Sequence, residues 1–374
     1  MGNKTKLECV LMKHVMFIVP TIAGIGGSVR VATQLANRLS EQYRVSIVSC
    51  SSGVTSVFSL NETIRVDSLD IDTGRVREKV QVARKPLLKL LDDIKPDIVF
   101  GIGTYETLMA LGPCRKKHIP LIFCDHGALI NQWDDKLMRV IRLLDALLST
   151  RTVVLTKRSL NDYHTRLHIP LNKLQCIPNW ISHNLLCKER TYDSASCKII
   201  WAGRFHSEKG IDNLLDIAEK VLPSHPDWTW DVYGGPVAEE AIDLDLEIRK
   251  RHLEGQLINK GCSDSLYDLY PEYAICTLTS YREGLPLVLL EGKACGLPAI
   301  SFDINTGPAD LIEDGKTGYL VEPFDCDIYA DKLGMLMDHP ELRQSMFFAQ
   351  IDSIQEFSED VIYGKWCTLI KSVC

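Results

Sequence analysis

Thr279-Ser280-Tyr281-Arg282-Glu283-Gly284-Leu285-Pro286-Leu287-Val288-Leu289-Leu290-Glu291-Gly292-Lys293 follows directly on a short apolar run, Ala274–Leu278, and passes from strand to helix within a few residues. Gly284 and Pro286 mark a helix N-terminus, with Pro286 expected at the first helical position, where its missing N–H costs nothing. Glu291 then falls in an otherwise apolar run. A carboxylate among Leu and Val is costly to bury without partners, so the pattern predicts that it accepts hydrogen bonds from something specific. The alternative is an exposed helix face on which Glu291 pairs with Lys293 or Arg282.

Outward from this stretch, short β-branched runs alternate with longer segments of helical periodicity, the pattern of parallel sheets covered by helices. The alternation occurs twice. Strands are expected at Val15–Pro20, Val45–Cys50, Asp97–Phe100, Leu121–Cys124, Thr152–Leu155 and Leu174–Ile177. They are expected again at Lys198–Trp201, Thr229–Tyr233, Leu257–Asn259, Ala274–Leu278, Ala299–Phe302 and Gly318–Val321. Between the two series, after the turn signal Ile177-Pro178-Asn179, residues 181–197 are polar and aperiodic and read as a hinge. The expected organisation is an irregular extension over 1–12, a domain over 13–180, the hinge, and a second domain over 198–355. A C-terminal helix over 356–374 completes it, with a crossing back to the first domain as one option. Two doubly wound units of this kind face each other across a cleft where the C-terminal ends of both sheets converge, which is where open α/β sheets bind ligands.

The 374 residues, 45% hydrophobic and 24% charged, suit two ordinary globular domains and exclude a disordered or collagen-like chain. A net charge of −7 argues against nucleic acid or an anionic membrane as partner. That average conceals two halves. Residues 1–190 hold 27 Lys and Arg against 17 Asp and Glu, a balance of +10, whereas residues 191–374 hold 15 against 32, a balance of −17. The 13 cysteines are scattered and odd in number, with no C-x-x-C pair, which fits reduced thiols in a cytosolic protein. No run approaches the roughly 20 apolar residues of a spanning helix, and the N-terminus lacks the apolar region of a signal peptide. A soluble or peripheral protein is expected, with Met12 an alternative start.

Two further strand-to-helix loops carry polar chemistry. Pro20-Thr21-Ile22-Ala23-Gly24-Ile25-Gly26-Gly27-Ser28 ends the first strand, and its glycines would let a ligand approach bare backbone N–H groups, which suit phosphate. The spacing is not that of the dinucleotide fingerprint, and Ser49-Cys50-Ser51-Ser52 stands where a ribose-binding acid would end the second strand, which disfavours an NAD-dependent oxidoreductase. Gly203-Arg204-Phe205-His206-Ser207-Glu208-Lys209-Gly210 opens the second series. Arg204 and Lys209, five residues apart, can converge on a diphosphate, a bidentate guanidinium beside a point-charge ammonium; otherwise the loop is solvated, with Glu208 as partner.

Glu283 and Glu291 in an E-x7-E arrangement, with Gly203-Arg204-Phe205…Lys209-Gly210 and the Gly26-Gly27 loop, resemble the retaining glycosyltransferases of family 4, which have the GT-B fold. The resemblance runs from about Lys13 onward and extends to Ile177-Pro178-Asn179, Ala294-Cys295-Gly296-Leu297-Pro298, Gly307-Pro308 and Asp314-Gly315-Lys316-Thr317-Gly318-Tyr319-Leu320-Val321. It implies an α/β GT-B architecture, two Rossmann-like doubly wound parallel-sheet domains facing across a cleft. It further implies that Arg204 and Lys209 hold the donor diphosphate and neutralise the leaving group. Glu291 would accept from the ribose hydroxyls, and Glu283 would contact the transferred sugar. Gly284, Leu285 and Pro286 would bring a helix N-terminus against donor oxygens. Gly203, Gly26 and Gly27 belong to the same donor-binding set, and Gly261 and Cys262 lie where the family receives the base. His126, in Cys124-Asp125-His126-Gly127, matches a histidine that contacts the donor sugar; on residue type alone it is more often structural.

The implied reaction moves a hexose or N-acetylhexosamine from a nucleotide diphosphate sugar, with UDP the expected carrier, to a lipid-diphosphate-linked or growing surface-polysaccharide acceptor. Preorganised cations and a helix dipole manage the leaving-group charge in a same-face displacement. Three D-x-D triplets, Asp70-Ile71-Asp72, Asp243-Leu244-Asp245 and Asp325-Cys326-Asp327, are not placed after a buried strand of the first unit, so no cofactor and no essential metal are expected. The stretch 73–95 combines Arg75, Arg77, Lys79, Arg84, Lys85 and Lys89 with Val80, Val82, Leu87, Leu88 and Leu91, which suits an anionic membrane surface on the cytoplasmic side, although Pro86 is expected to interrupt a single long helix. No nucleic acid is expected. A soluble-acceptor transferase and a catalytically silent sugar-nucleotide-binding subunit are the alternatives; the intact Arg204, Lys209, Glu283 and Glu291 speak against silence.

Overall fold

Strands rich in Val, Ile and Phe with no polar face must be covered on both sides, and β1 (His14–Val19) shows this, with all six residues buried. The structure, a computed structural model, describes residues 12–24, 26–72, 74–186, 192–235, 242–263 and 266–374. The expected extension lies outside these residues except for Met12, as do residues 187–191 of the expected hinge. The remaining strands are β2 (Arg44–Ser49), β3 (Arg65–Ser68), β4 (Ile98–Ile102), β5 (Leu121–Asp125), β6 (Arg151–Val154), β7 (Leu174–Cys176), β8 (Lys198–Ala202), β9 (Thr229–Tyr233), β10 (Leu257–Gly261), β11 (Ile275–Leu278), β12 (Ala299–Phe302) and β13 (Gly318–Val321). They form a seven-stranded sheet in the order β3-β2-β1-β4-β5-β6-β7 and a six-stranded sheet in the order β10-β9-β8-β11-β12-β13. β3 was not expected. Its Arg-Val-Asp-Ser sequence has no apolar run, because it is an edge strand with one neighbour and half-buried side chains.

The chain divides into two compact units. The first takes the chain as far as Val154, then Tyr163–Gln175 and Trp366–Cys374; the second comprises Leu155–Asp162 and Cys176–Lys365. The division falls at Cys176, earlier than the expected hinge. Ile181 shows why: its N–H donates to the Phe357 carbonyl at 2.8 Å, and Ile181 and Leu185 pack in a core of the second unit. In the first unit, Phe17 stacks on Phe100 with ring centres 5.3 Å apart, and Trp366 meets Phe100 edge-on at 5.6 Å. In the second, alternate residues of β8 enter two cores: Ile199 and Trp201 pack with the helix Ile211–Val221, and Ile200 packs with the helix Leu287–Ala294.

Pro86 does not interrupt its helix, which runs from Val76 to Ile94. Pro86 leaves the Val82 carbonyl without its usual donor, on a residue that is 59% exposed rather than in the core. The apolar side of this helix, Ala83, Leu87, Leu91 and Ile94, is spent in the core of the first unit.

Candidate active site

β8 and β11 are neighbours in the second sheet although their partners Ile199 and Ile275 lie 76 positions apart in sequence, with β9 and β10 between them. The strand order reverses between them, and the loops leaving their C-terminal ends lie side by side. Thr279, fully buried, stitches the two loops: its hydroxyl donates to the Gly210 carbonyl at 2.8 Å and accepts from Trp201 Nε1 at 2.9 Å, while Asn213 Nδ2 donates to its carbonyl at 3.1 Å. Gly210 has φ +63°, and a Cβ there would fall 2.0 Å from the Thr279 carbonyl oxygen, so this crossing requires glycine.

On that frame the predicted residues meet. Lys209 Nζ donates to Glu283 Oε1 at 2.7 Å, and Ser280 Oγ donates to the same oxygen at 2.7 Å. The Glu283 carbonyl accepts from the fully buried Thr306 hydroxyl at 2.6 Å. Arg204, on the same loop as Lys209, is exposed and makes no ion pair with a described carboxylate. Glu208 is not the partner of either cation: it pairs with Arg282, and its carbonyl accepts from the Tyr281 N–H at 2.9 Å. The loop thus presents one unengaged guanidinium and one ammonium held by a carboxylate, a donor set suited to phosphate oxygens.

Pro286 is the residue before the first helical position rather than the first itself, with the helix running Leu287–Ala294. Its φ of −70° suits the entry, and no side chain caps the helix, so the first N–H groups stay available. Gly307, φ +102°, packs against this entry: a Cβ there would meet Pro286 Cδ at 2.6 Å and the Gly284 carbonyl at 3.0 Å. Glu291 is 7% exposed and accepts from the fully buried Tyr270 hydroxyl at 2.9 Å. Lys293 does not serve it, and Arg282 pairs with Glu208. Lys293 turns the other way, donating to the Leu311 carbonyl, Gln350 Oε1 and Ser353 Oγ, and burial pushes its ammonium down to about 8.

The loops after β9 and β10 join the same edge. Gly203 N–H donates to the Tyr233 carbonyl and Gly234 N–H to the Gly261 carbonyl, each at 2.9 Å. Gly261 takes φ +66°, and the adjoining Cys262 is an exposed free thiol, as every described cysteine is free. Two of the D-x-D triplets have structural roles: Asp243 and Asp325 cap helices, accepting from the Leu246 and Ile328 N–H groups.

Gly26, Gly27 and His126 belong to the first unit. Gly26 precedes the helix Gly27–Leu39, whose N-terminus has no side-chain cap. His126 follows β5 and is partly buried; burial pushes its imidazole down to about 4, so it is neutral at neutral pH. Beneath it, Asp125 accepts from the Gly127 N–H at 3.0 Å and the Tyr163 hydroxyl at 2.7 Å, and pairs with Arg142 at 3.2 Å. Sequence reasoning missed Tyr270, Ser280, Thr306 and this Asp125–Arg142 pair. Each is a single polar residue in an apolar or turn segment, and only the fold shows which partner it meets.

A family model described as Glycosyl transferases group 1 matches residues 190–347, and one described as Glycosyltransferase Family 4 matches residues 25–185. An uncharacterized glycosyltransferase of Haemophilus influenzae is 27% identical over 94% of this chain and 97% of its own length. The amylovoran biosynthesis glycosyltransferase AmsD of Erwinia amylovora is 26% identical over 95% and 99%. Among solved structures, a TarM variant from S. aureus, in complex with fondaparinux, alpha-GlcNAc-glycerol and UDP, superposes with a TM-score of 0.80 at 14% identity, covering 96% of this chain and 99% of that one. The fold is therefore GT-B.

Proposed function

The chain belongs to the family 4, group 1 glycosyltransferases, and from that premise we propose a retaining transferase that moves a hexose or N-acetylhexosamine from a UDP-sugar to a lipid-linked or growing surface-polysaccharide acceptor. The observation that carries this reading is the meeting of Lys209 and Glu283 beside the unengaged Arg204, at the point where the second sheet reverses its strand order. Cleavage of a glycosyl–diphosphate bond puts negative charge on the leaving phosphate, which Arg204, Lys209 and the open helix N-terminus at Leu287 neutralise without reorganising. Glu283, fixed by Lys209 and Ser280, orients the hydroxyls of the transferred sugar. Glu291, fixed by Tyr270, takes the ribose hydroxyls. The leaving phosphate itself assists removal of the acceptor proton on the same face, and the chemistry needs no metal. The first half's +10 balance supports peripheral attachment of the enzyme to the cytoplasmic face of an anionic membrane. The polysaccharide role of AmsD and the UDP carried by TarM support the acceptor class and the carrier.

Titration with nucleotides tests it. UDP at a hundredfold excess over its dissociation constant should stabilise the protein by about 2.7 kcal/mol, an increment that Glu291→Ala reduces and NAD does not produce. Donor hydrolysis across a panel of nucleotide sugars then identifies base and sugar. Loss of transfer on exhaustive chelation, restored by manganese, would overturn the metal-free mechanism.

A further inference from the structure

The helix Lys136–Leu148 in the first unit is built inside out. Its buried face carries Met138, Ile141, Arg142, Asp145 and Ala146, two of them ionisable. Its solvent face carries Leu137, Val140, Leu144, Leu147 and Leu148, between 39% and 57% exposed. At 100° per residue these five fall within one arc of about a quarter turn, a continuous aliphatic stripe along the helix. Leu171, 56% exposed, adds to it: it shares a turn with Lys173, whose ammonium reaches the Leu147 carbonyl.

Cations frame both ends. At the N-terminal end, Arg139 and Arg166 both lie over the Trp133 ring, at 4.9 and 5.2 Å, next to the exposed Lys136. At the other end Lys173 lies close enough to Arg151 for their charges to repel. Asp135 spends its carboxylate capping the helix. Aliphatic side chains flanked by Arg, Lys and Trp match the layers of a bilayer surface, with acyl chains under anionic headgroups. A two-fold second copy fits worse, since antiparallel stripes would set Lys136 and Arg139 of one copy against Arg151 and Lys173 of the other.

We infer that the Leu137–Leu148 stripe is the face by which the first unit docks onto an anionic lipid bilayer. The inference rests on the membrane attachment proposed above and assigns it to this helix rather than to Val76–Ile94, whose apolar side is already in the core. Sedimentation tests it, with vesicles of phosphatidylcholine alone or mixed equally with phosphatidylglycerol. The wild type should bind the mixed vesicles and keep part of that binding in high salt. Leu137→Ser with Leu144→Ser should weaken it by about tenfold or more per leucine, while Arg84→Glu with Lys85→Glu, on the other helix, should leave the salt-resistant part intact. Unchanged binding by the leucine variant, or binding abolished by salt alone, overturns the inference; so does a wild-type dimer that the leucine variant turns into a monomer. Stabilisation by UDP, measured on the same samples, shows that each variant is folded and reports on the transferase reading independently.

Discussion

The two sheets reverse their strand order at equivalent places, between β1 and β4 in the first unit and between β8 and β11 in the second, yet the two switch points carry different chemistry. In the second, Arg204 and Lys209 sit on the loop after β8, and Lys209 meets Glu283 on the loop after β11. In the first, the loop after β1 ends in the bare backbone of Gly26 and Gly27, and the helix after β4 buries Glu106, whose carboxyl is pushed up to about 7 by desolvation. A diphosphate would meet cations at one and a carboxyl group at the other. The shared architecture marks two places where a ligand is allowed, and side-chain charge sets them apart in what each would offer a phosphate.

The largest test of this contrast removes the cations. Arg204→Ala and Lys209→Ala should each lower kcat by about 10²–10³-fold, the cost of deleting one preorganised group from a charge-stabilising site, with KM for the donor changing less. Lys209→Ala should be the more damaging, because it also leaves Glu283, whose side chain is only 10% exposed, without its ion pair. Steady-state kinetics on both variants checks this. Similar losses in KM alone would mean that the two cations bind the ground state and do not act on the leaving group.

Twelve of the thirteen strands could be read from apolar runs, nine of them central parallel strands that are buried on both faces and have no polar face to confuse the pattern. The edge strand Arg65–Ser68 lacks that signature. The loops that carry the candidate donor-site residues were likewise readable, since each lies at a fixed offset from a strand end and a glycine. Orientation was not. The segment rich in Arg and Lys, Val76–Ile94, suggested a membrane face, but its Leu87 and Leu91 are buried; Lys136–Leu148, with fewer cations, turns its leucines outward. What reverses the second helix is the buried Arg142, drawn inward by Asp125, and pairing across 17 residues leaves no local pattern.

That buried cluster gives the first unit a pH dependence of its own. Asp145 is fully buried, neither carboxyl oxygen has a hydrogen-bond partner among the described residues, and desolvation with the nearby Asp125 and Glu106 charges pushes it up to about 9 from an ordinary 3.8. Between those values the unfolded chain has released the proton and the folded one has not, so stability falls as pH rises through the window, by at most about 1.4 kcal/mol per unit. Glu106 adds in the same direction only up to about 7. Asp145→Asn should therefore flatten the decline between pH 7 and 9, read as the difference between wild-type and variant unfolding curves, and leave transfer rates at neutral pH unchanged. An identical slope in the two proteins would mean that Asp145 is ionised and paired in the folded state.

The smallest expected effect bears most directly on the contrast between the switch points. Gly26 has φ −173°, extended backbone that any residue adopts, and a Cβ there would meet nothing within 4 Å. Gly26→Ala should thus fold normally, unlike Gly210→Ala, where the Thr279 carbonyl blocks the added carbon. If the first unit's loop only turns the chain, kcat/KM for the donor should stay within about threefold of wild type, under roughly 0.7 kcal/mol. A loss of the size expected for Arg204→Ala, with UDP stabilisation retained, would mean that a donor or acceptor atom lies against the bare Gly26 backbone. The uncapped N–H groups of the helix Gly27–Leu39 would then act in the reaction, and the division of labour between the two switch points would fail.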